Sequence, residues 1–171
     1  MENYFYLKSA NTYWRECVVK KSSWRPPGWM YRKNQQSNDD AYFENMTRVI
    51  FQAGLSWKMI SNKWMNFKKA FANFSIEKVA KFGDDDLARL MADKAIVRNR
   101  RKIEATINNA KEFERIKKRW ESFNSYLESL DKSMNYSLVI RELSNRFQRL
   151  GPSSARIFLY SVGEDVGHLE G

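Results

Sequence analysis

The chain has 171 residues, of which 30 are Lys or Arg and 20 are Asp or Glu, so its formal net charge is +10. An apolar fraction of 43% suffices for a hydrophobic core, and 15% aromatic residues exclude a disordered chain. No apolar run approaches the roughly 20 residues that span a bilayer, and a single cysteine, Cys17, excludes a disulfide scaffold.

These numbers predict one domain, or at most two small lobes that share a core. The N-terminus has no basic start followed by an apolar run, so we expect a cytoplasmic protein and no membrane partner. A charge of +10 at this size favours a polyanionic partner, most often nucleic acid.

Residues 1–38 have no hydrophobic period and contain many aromatic side chains beside Pro26, Pro27 and Gly28. We expect an irregular aromatic arm that packs on the core. From residue 39 onward, apolar residues recur at spacings of three and four, which predicts helices. Residues 39–171 are therefore expected to form a single helical domain, with a helical hairpin near 146–156.

Helix boundaries are expected where small polar residues, glycines and a proline interrupt that pattern. Asp39 or Asp40 should cap the first helix and Gly54 should end it. No segment alternates with period two, so the predicted fold class is all-α. The other expected boundaries are Ser56, Ser75, Gly83, Asp84, a long helix from about Arg98 to Trp120, Ser122, Ser137, Gly151-Pro152 and Gly163.

No strong catalytic or metal-binding pattern is present. The single histidine, His168, has no Gly-x-Ser-x-Gly elbow to support a catalytic triad. One Cys and one His cannot complete a four-ligand zinc site by themselves. We expect no cofactor.

Three segments stand out from this background. Gln52-Ala53-Gly54-Leu55-Ser56-Trp57 joins two apolar helices and places Leu55 at the tip of a turn, where it either folds back into the core or protrudes as a wedge. Arg98-Asn99-Arg100-Arg101-Lys102 starts the long helix with four cations, which oppose the helix dipole. They form either a solvated basic face or a surface for a polyanion.

The third segment, residues 146–155, joins two helices through Gly151, Pro152, Ser153 and Ser154. Free backbone N–H groups at the start of a helix form an anion site, and helix-hairpin-helix elements bind a DNA phosphate in this way. The alternative is an ordinary helical corner.

Together, these segments resemble the type I 3-methyladenine DNA glycosylase family of the helix-hairpin-helix superfamily. The resemblance runs from about Asp40 to His168, and its most specific part is residues 51–57. Further matches lie at residues 74–82, 96–103 and 108–110. The resemblance implies a two-lobed, all-α DNA repair enzyme of the base excision pathway, which binds duplex DNA as a monomer.

The resemblance also implies roles for individual residues. Leu55, with Gly54, would enter the gap left by a flipped nucleotide, and Trp57 would stack on the extruded base beside Gln52 and Val49. The remaining implied roles concern the DNA backbone. The backbone amides of Gly151, Ser153 and Ser154 would hold a phosphate. The basic cluster, with Arg98 and Arg100, would lie near DNA or brace the two lobes.

The sequence departs from the family pattern in its base pocket and its metal site. The glutamate that reads the base in the family lies three residues before Gln52, where this chain has Val49. A valine cannot accept a hydrogen bond from an adenine edge. His168 matches the third ligand of the family's zinc clip, but Cys17 is no convincing match for the first. We therefore expect no metal, and we expect aromatic packing of the N-terminal arm to replace the zinc clip.

The catalytic acid of the superfamily is also missing from its usual position. The superfamily's aspartate lies two residues before the histidine, where this chain has Val166. Asp165 and Glu164 are close by, and either one is a displaced acid or both simply belong to a helix end. Asp165 is the catalytic candidate, and Glu16 and Glu44 are lesser ones.

The predicted function is excision of a damaged, alkylated purine from duplex DNA by hydrolysis of its N-glycosidic bond. Two alternatives remain within the resemblance: a non-catalytic DNA-binding relative, and a glycosylase for a different base lesion. A basic helical module for protein interaction is a fourth interpretation, and residues 52–57 argue against it.

Overall fold

The computed structural model describes residues 38–166, and every regular element in that range is helical. The all-α prediction is therefore confirmed. Most of the predicted aromatic arm, with Glu16 and Cys17, lies outside the described residues, as does His168.

Eight α-helices follow one another along the described chain. A short 3₁₀ turn, Ala72–Phe74, lies between the second and third. The helices are α1 (Asp39–Gln52), α2 (Trp57–Ala70), α3 (Ile76–Val79), α4 (Asp84–Ala92), α5 (Arg100–Trp120), α6 (Phe123–Glu128), α7 (Ser133–Arg146) and α8 (Pro152–Ser161).

Helix α1 begins earlier than predicted, because Asn38 is its N-cap and accepts a hydrogen bond from the Ala41 N–H. The two aspartates expected as caps serve other helices instead. Asp39 accepts a hydrogen bond from the Phe123 N–H, at the start of α6, and Asp40 accepts one from the Ile76 N–H, at the start of α3, each at 3.0 Å. The first turn of α1 therefore organises three helix starts.

The core is built around α5, whose Phe113 is buried among three other aromatic rings. It stacks on Phe123 of α6 at a centroid distance of 4.6 Å and meets Phe43 of α1 edge-on at 5.6 Å. It also contacts Phe147, directly after α7, at 5.3 Å. Because these rings come from four parts of the chain, Phe113 fixes how α1 and α7 sit relative to α5.

Helix α7 starts at Ser133 but is left-handed through Tyr136, so right-handed helical geometry begins only at Ser137, the boundary that the sequence predicted. Asp131 accepts a hydrogen bond from the Ser133 N–H, directly before the left-handed turn of the helix. Its first turn, Met134–Tyr136, has positive φ values of 52° to 60° and is held from outside, since the Tyr136 hydroxyl donates to Glu164. The long helix α5 starts at Arg100, two residues later than expected, and Asn99 is its N-cap.

Candidate nucleic-acid interface

The loop between α1 and α2, residues 53–56, is a tight turn. Gly54 adopts a φ of +74°, which disfavours other residues, although nothing lies within 4 Å of a Cβ placed there. The Leu55 N–H donates to the Gln52 carbonyl, and Ser56 caps α2 as predicted. Leu55 is half-buried and packs against the core, so it neither protrudes fully nor disappears into the interior.

A buried lysine forms hydrogen bonds with the backbone of this loop. Lys102 lies in the first turn of α5 and is 5% exposed. Its Nζ donates to the Ala53 carbonyl at 2.6 Å and to the Phe51 carbonyl at 3.0 Å. These carbonyls lie at the end of α1, where helical partners are missing and a cation is favourable. In sequence Lys102 belongs to a basic cluster, and the structure assigns it a bracing role.

Burial lowers the pKa of the Lys102 ammonium, and the nearby Arg149 guanidinium lowers it further. Both effects disfavour the charged form, so holding a cation here costs stability. The two hydrogen bonds to carbonyls offset this cost, and they fix the path of the backbone around Gly54.

The loop between α7 and α8, residues 147–151, is held by the same helix. The Asn109 side chain donates to the Gln148 carbonyl at 3.1 Å and accepts from the Gln148 N–H at 2.8 Å. Next to it, the Asn108 amide donates to the Gln148 side chain. This reciprocal pairing leaves Arg149 exposed at the turn with a φ of +60°.

Lys102 and Asn109 are seven residues apart in α5 and therefore lie on one face, about 10 Å apart along the helix axis. The α1–α2 loop and the α7–α8 loop are thus attached to one rigid element at adjacent positions. Sequence reasoning missed Asn109 as a clamp, because an asparagine within an amphipathic helix is typical of a solvated position.

Helix α8 begins as an anion site requires. Gly151 is its N-cap and provides no side-chain hydrogen bond, and Pro152 occupies the first helical position. The N–H groups of Ser153 and Ser154 follow in the first turn, where helical acceptors are missing. Ser153 is exposed and Ser154 half-buried, so their amides are accessible to an anion at this end of the helix.

The predicted cations lie on the surface at the start of α5 and directly before it. Arg98 and Arg100 are both exposed, and Arg100 forms an ion pair with Glu104 at 2.8 Å. Nearby, a cleft of about 540 Å³ lies between the start of α4, helix α5 and the α7–α8 loop. Four cations line it: Arg100, Arg101, Lys111 and Arg149.

The residues predicted to contact a base lie on α1 and at the start of α2. Val49 and Gln52 are each 2% exposed, and Trp57, the first residue of α2, is half-buried. No residue among 38–166 forms a hydrogen bond with the Gln52 side chain, although both of its polar atoms are buried. The Nδ2 atom of Asn45, two turns earlier in α1, is also buried and has no hydrogen-bond partner among residues 38–166. The sequence analysis did not single out Asn45.

Two of the candidate acids are occupied by other partners. Glu44 accepts a hydrogen bond from the Trp64 indole at 2.8 Å and pairs with Lys68 at 3.0 Å. Glu164 pairs with Lys132 at 3.1 Å and accepts a hydrogen bond from the Tyr136 hydroxyl. Asp165 is exposed just after α8 and forms no such side-chain contact with the described residues.

Residues 38–166 contain neither a metal cluster nor a membrane-spanning helix. No group of three or more His, Cys, Asp and Glu side chains in this range is arranged to hold a metal ion. None of the described helices is long and apolar enough to cross a membrane. Because Cys17 and His168 lie outside this range, the expectation of no zinc site stays a prediction.

The fold is that of the helical DNA glycosylases. A solved structure of 3-methyladenine DNA glycosylase I from Staphylococcus aureus superposes with a TM-score of 0.70 and 25% identity, over 87% of this chain and 90% of that one. A second structure, of a variant of 3-methyladenine DNA glycosylase I in complex with 3-methyladenine, superposes with a TM-score of 0.70 and 26% identity, over 87% and 91%.

The family model described as methyladenine glycosylase matches residues 29–157. The chain belongs to this family. It is 37% identical over 92 residues to DNA-3-methyladenine glycosylase 1 of Escherichia coli, covering 54% of this chain and 49% of that protein. It is 30% identical over 101 residues to DNA-3-methyladenine glycosylase of Haemophilus influenzae, covering 59% and 53%. The chain thus spans about half the length of these two relatives.

A Lys102→Met variant tests the clamp on the α1–α2 loop. Methionine keeps a long apolar side chain but donates no hydrogen bond, so two carbonyls lose their partner. We expect the free energy of unfolding in urea to fall by about 1–3 kcal/mol. Preference for an abasic-site duplex over the intact duplex should fall as well, because the loop is no longer held.

The matched control is Arg101→Met, which removes the same charge from the preceding residue, whose side chain is exposed. It should leave both the stability and the preference for abasic DNA close to wild type. A Lys102→Met variant that behaves like this control would show that the buried ammonium does not position the loop.

Proposed function

We propose that the protein is a DNA glycosylase, which extrudes an alkylated purine from duplex DNA and hydrolyses its N-glycosidic bond. The observation that carries this proposal is the common attachment of two loops to α5. Lys102 holds the loop that contains Leu55, and Asn109 holds the loop that leads to the free amides of Ser153 and Ser154. Family membership supports the same conclusion.

In this proposal, each of the two loops has its own role in base flipping. Extruding a base from the stack costs a few kcal/mol. Leu55, half-buried at the tip of the α1–α2 loop, fills the gap that the base leaves. The amides of Ser153 and Ser154 bind a backbone phosphate and so fix the position of the duplex. Arg98 and Arg100 contribute sequence-independent attraction to the phosphates.

The chemical step needs little acid catalysis if the base is an alkylated purine. Alkylation at a ring nitrogen makes the base cationic and weakens its bond to the sugar. The Trp57 indole attracts such a cation through its ring face. Water then attacks the sugar carbon as the base leaves, and Asp165 is the described acid that could accept the water's proton.

A non-catalytic DNA-binding relative is the second candidate, and one observation favours it. The position of the family's base-reading glutamate is a buried valine, Val49. Glu44 cannot replace that carboxylate without losing its partners Trp64 and Lys68. Such a relative would retain the two loops and bind abasic DNA, but it would release no base.

Base release from DNA treated with dimethyl sulfate separates these two candidates. Chromatography of the supernatant should detect methylated purines in amounts that grow with protein concentration. A preparation that releases no base, yet binds an abasic-site duplex more tightly than intact DNA, would contradict the glycosylase and support the binder. Equal binding to both duplexes would contradict both.

Replacing Leu55 with alanine tests the wedge. The shorter side chain leaves the gap in the stack unfilled, so we expect the preference for the abasic-site duplex to fall about tenfold, with binding to intact DNA unchanged. Titration of both duplexes measures this ratio. Met65→Ala is the control, because it truncates a side chain that is 65% exposed on α2. Equal ratios for the two variants would exclude Leu55 as the wedge.

Arg100→Ala tests whether the start of α5 contacts phosphate. Each phosphate contact adds about 0.9 to the slope of log affinity against log salt concentration, so the slope should fall by about one. Arg115→Ala is matched closely: both arginines lie on α5, both pair with a glutamate, and their side chains are 65% and 71% exposed. A slope unchanged by Arg100→Ala would place the DNA elsewhere.

A further inference from the structure

The basic cleft beside the α7–α8 loop is separate from the residues proposed to contact a base. It has a volume of about 540 Å³ and lies between the start of α4, helix α5 and that loop. None of residues 49–57 lines it, so it is not part of the wedge either. The cations that line it are Arg100, Arg101, Lys111 and Arg149.

Three of these four cations lack an acidic partner. Arg101, Lys111 and Arg149 are exposed and form no ion pair within residues 38–166, whereas the fourth cation is paired with Glu104. That glutamate and Asp84 are the two acids that line the cleft, so positive charge is in excess by two. Cations collected in a cleft raise the local concentration of anions, and this cleft therefore favours a polyanion.

The position of Arg149 is costly in the free protein. Its φ of +60° lies in the left-handed region, which is unfavourable for an arginine. Its guanidinium also lies close enough to the buried Lys102 to lower the pKa of that ammonium. Asn109 maintains this arrangement, because it bonds with both backbone groups of Gln148, the preceding residue. An anion bound to Arg149 would offset the repulsion between the two cations.

The cleft is continuous with the phosphate site proposed at the start of α8. Arg149 lines the cleft, and the same loop leads directly to the amides of Ser153 and Ser154. Arg101 and Lys111 are ten positions apart in α5, which is about 15 Å along the helix axis. Each strand of a duplex carries a phosphate about every 3.4 Å along its axis, so this length matches about four phosphates.

We propose that this cleft binds the phosphate backbone of the duplex on one side of the damaged nucleotide. The inference rests on the proposed function, because it starts from the phosphate at Ser153 and Ser154. A phosphate backbone fits the cleft because its charges are evenly spaced, and the cleft presents cations over the same length. Contacts to phosphates carry no sequence information, so they strengthen binding to damaged and intact DNA alike.

Abasic-site duplexes with arms of different length test this proposal. Lengthening one arm from about six to about twelve base pairs should tighten wild-type binding about tenfold or more, and lengthening the other should have little effect. The double variant Lys111→Ala/Arg149→Ala should lose this gain, and its slope of log affinity against log salt concentration should be lower by about two. Equal effects of the two arms, or a gain that the double variant retains, would overturn the proposal.

The double variant Lys117→Ala/Lys118→Ala is the matched control. It removes the same charge from exposed positions on α5 that do not line the cleft. It should therefore keep the dependence on arm length and most of the salt slope of the wild type. A loss as large as that of Lys111→Ala/Arg149→Ala would show that net charge alone is responsible, and it would overturn the proposal.

Removing an acid from the cleft tests the same contact in the opposite direction. Asp84→Asn removes a negative charge beside the bound phosphates and should raise affinity for intact and abasic DNA about threefold at low salt. A misfolded variant cannot produce this gain. Asp85→Asn is the control, because it removes the next exposed charge of the same helical turn, outside the cleft. Equal affinities of these two variants would contradict the proposal.

The outcomes distinguish failure of this inference from failure of the proposed function. Base release by a wild type whose affinity does not depend on arm length would overturn the inference and leave the glycosylase intact. A one-sided dependence on arm length without base release would contradict the glycosylase and support the cleft. Polyglutamate that binds the wild type but not Lys111→Ala/Arg149→Ala, with equal DNA affinity of the two proteins, would assign the cleft to an acidic protein and overturn the inference.

Discussion

The arrangement of this protein depends on one buried ammonium group. Lys102 bonds with the Phe51 and Ala53 carbonyls, at the end of a helix where backbone acceptors have no helical donor. Burial is unfavourable for a cation, and the two hydrogen bonds to carbonyls offset that cost. What the contact provides is a fixed turn at Gly54. Two helical turns further along α5, Asn109 fixes the second loop, and the distance between the loops is then set by a rigid helix.

The residues proposed to contact a base lie next to the same loop. Helix α1 ends where Lys102 holds it, and its last residue, Gln52, directly precedes the loop. The carboxylate that the family resemblance leads one to expect is absent, because Val49 occupies its position and Glu44 is engaged by Trp64 and Lys68. Recognition in our account therefore relies on the Trp57 ring, and the lability of an alkylated purine takes the place of strong acid catalysis.

Much of the fold could be predicted from the sequence, because local rules govern helices and their ends. The caps at Ser56 and Ser122 and the turn at Gly54 were predicted on such rules. Contacts between residues far apart in the sequence could not be predicted. Lys102 looks like its neighbour Arg101 in sequence, and only the packed structure separates the buried cation from the exposed one. Asp39 and Asp40 likewise resemble caps of their own helix, but their partners lie 84 and 36 residues away.

Amide hydrogen exchange, with and without an abasic-site duplex, tests the central claim most directly. If α5 holds both loops against one duplex, exchange should slow in the peptides that contain residues 53–57 and in those that contain 148–154, at the same DNA concentration. The exposed far side of α4 and the end of α5 near Arg119 should be unaffected. Protection of only one loop, or of neither, would contradict the account, because the two loops would then not form a common surface.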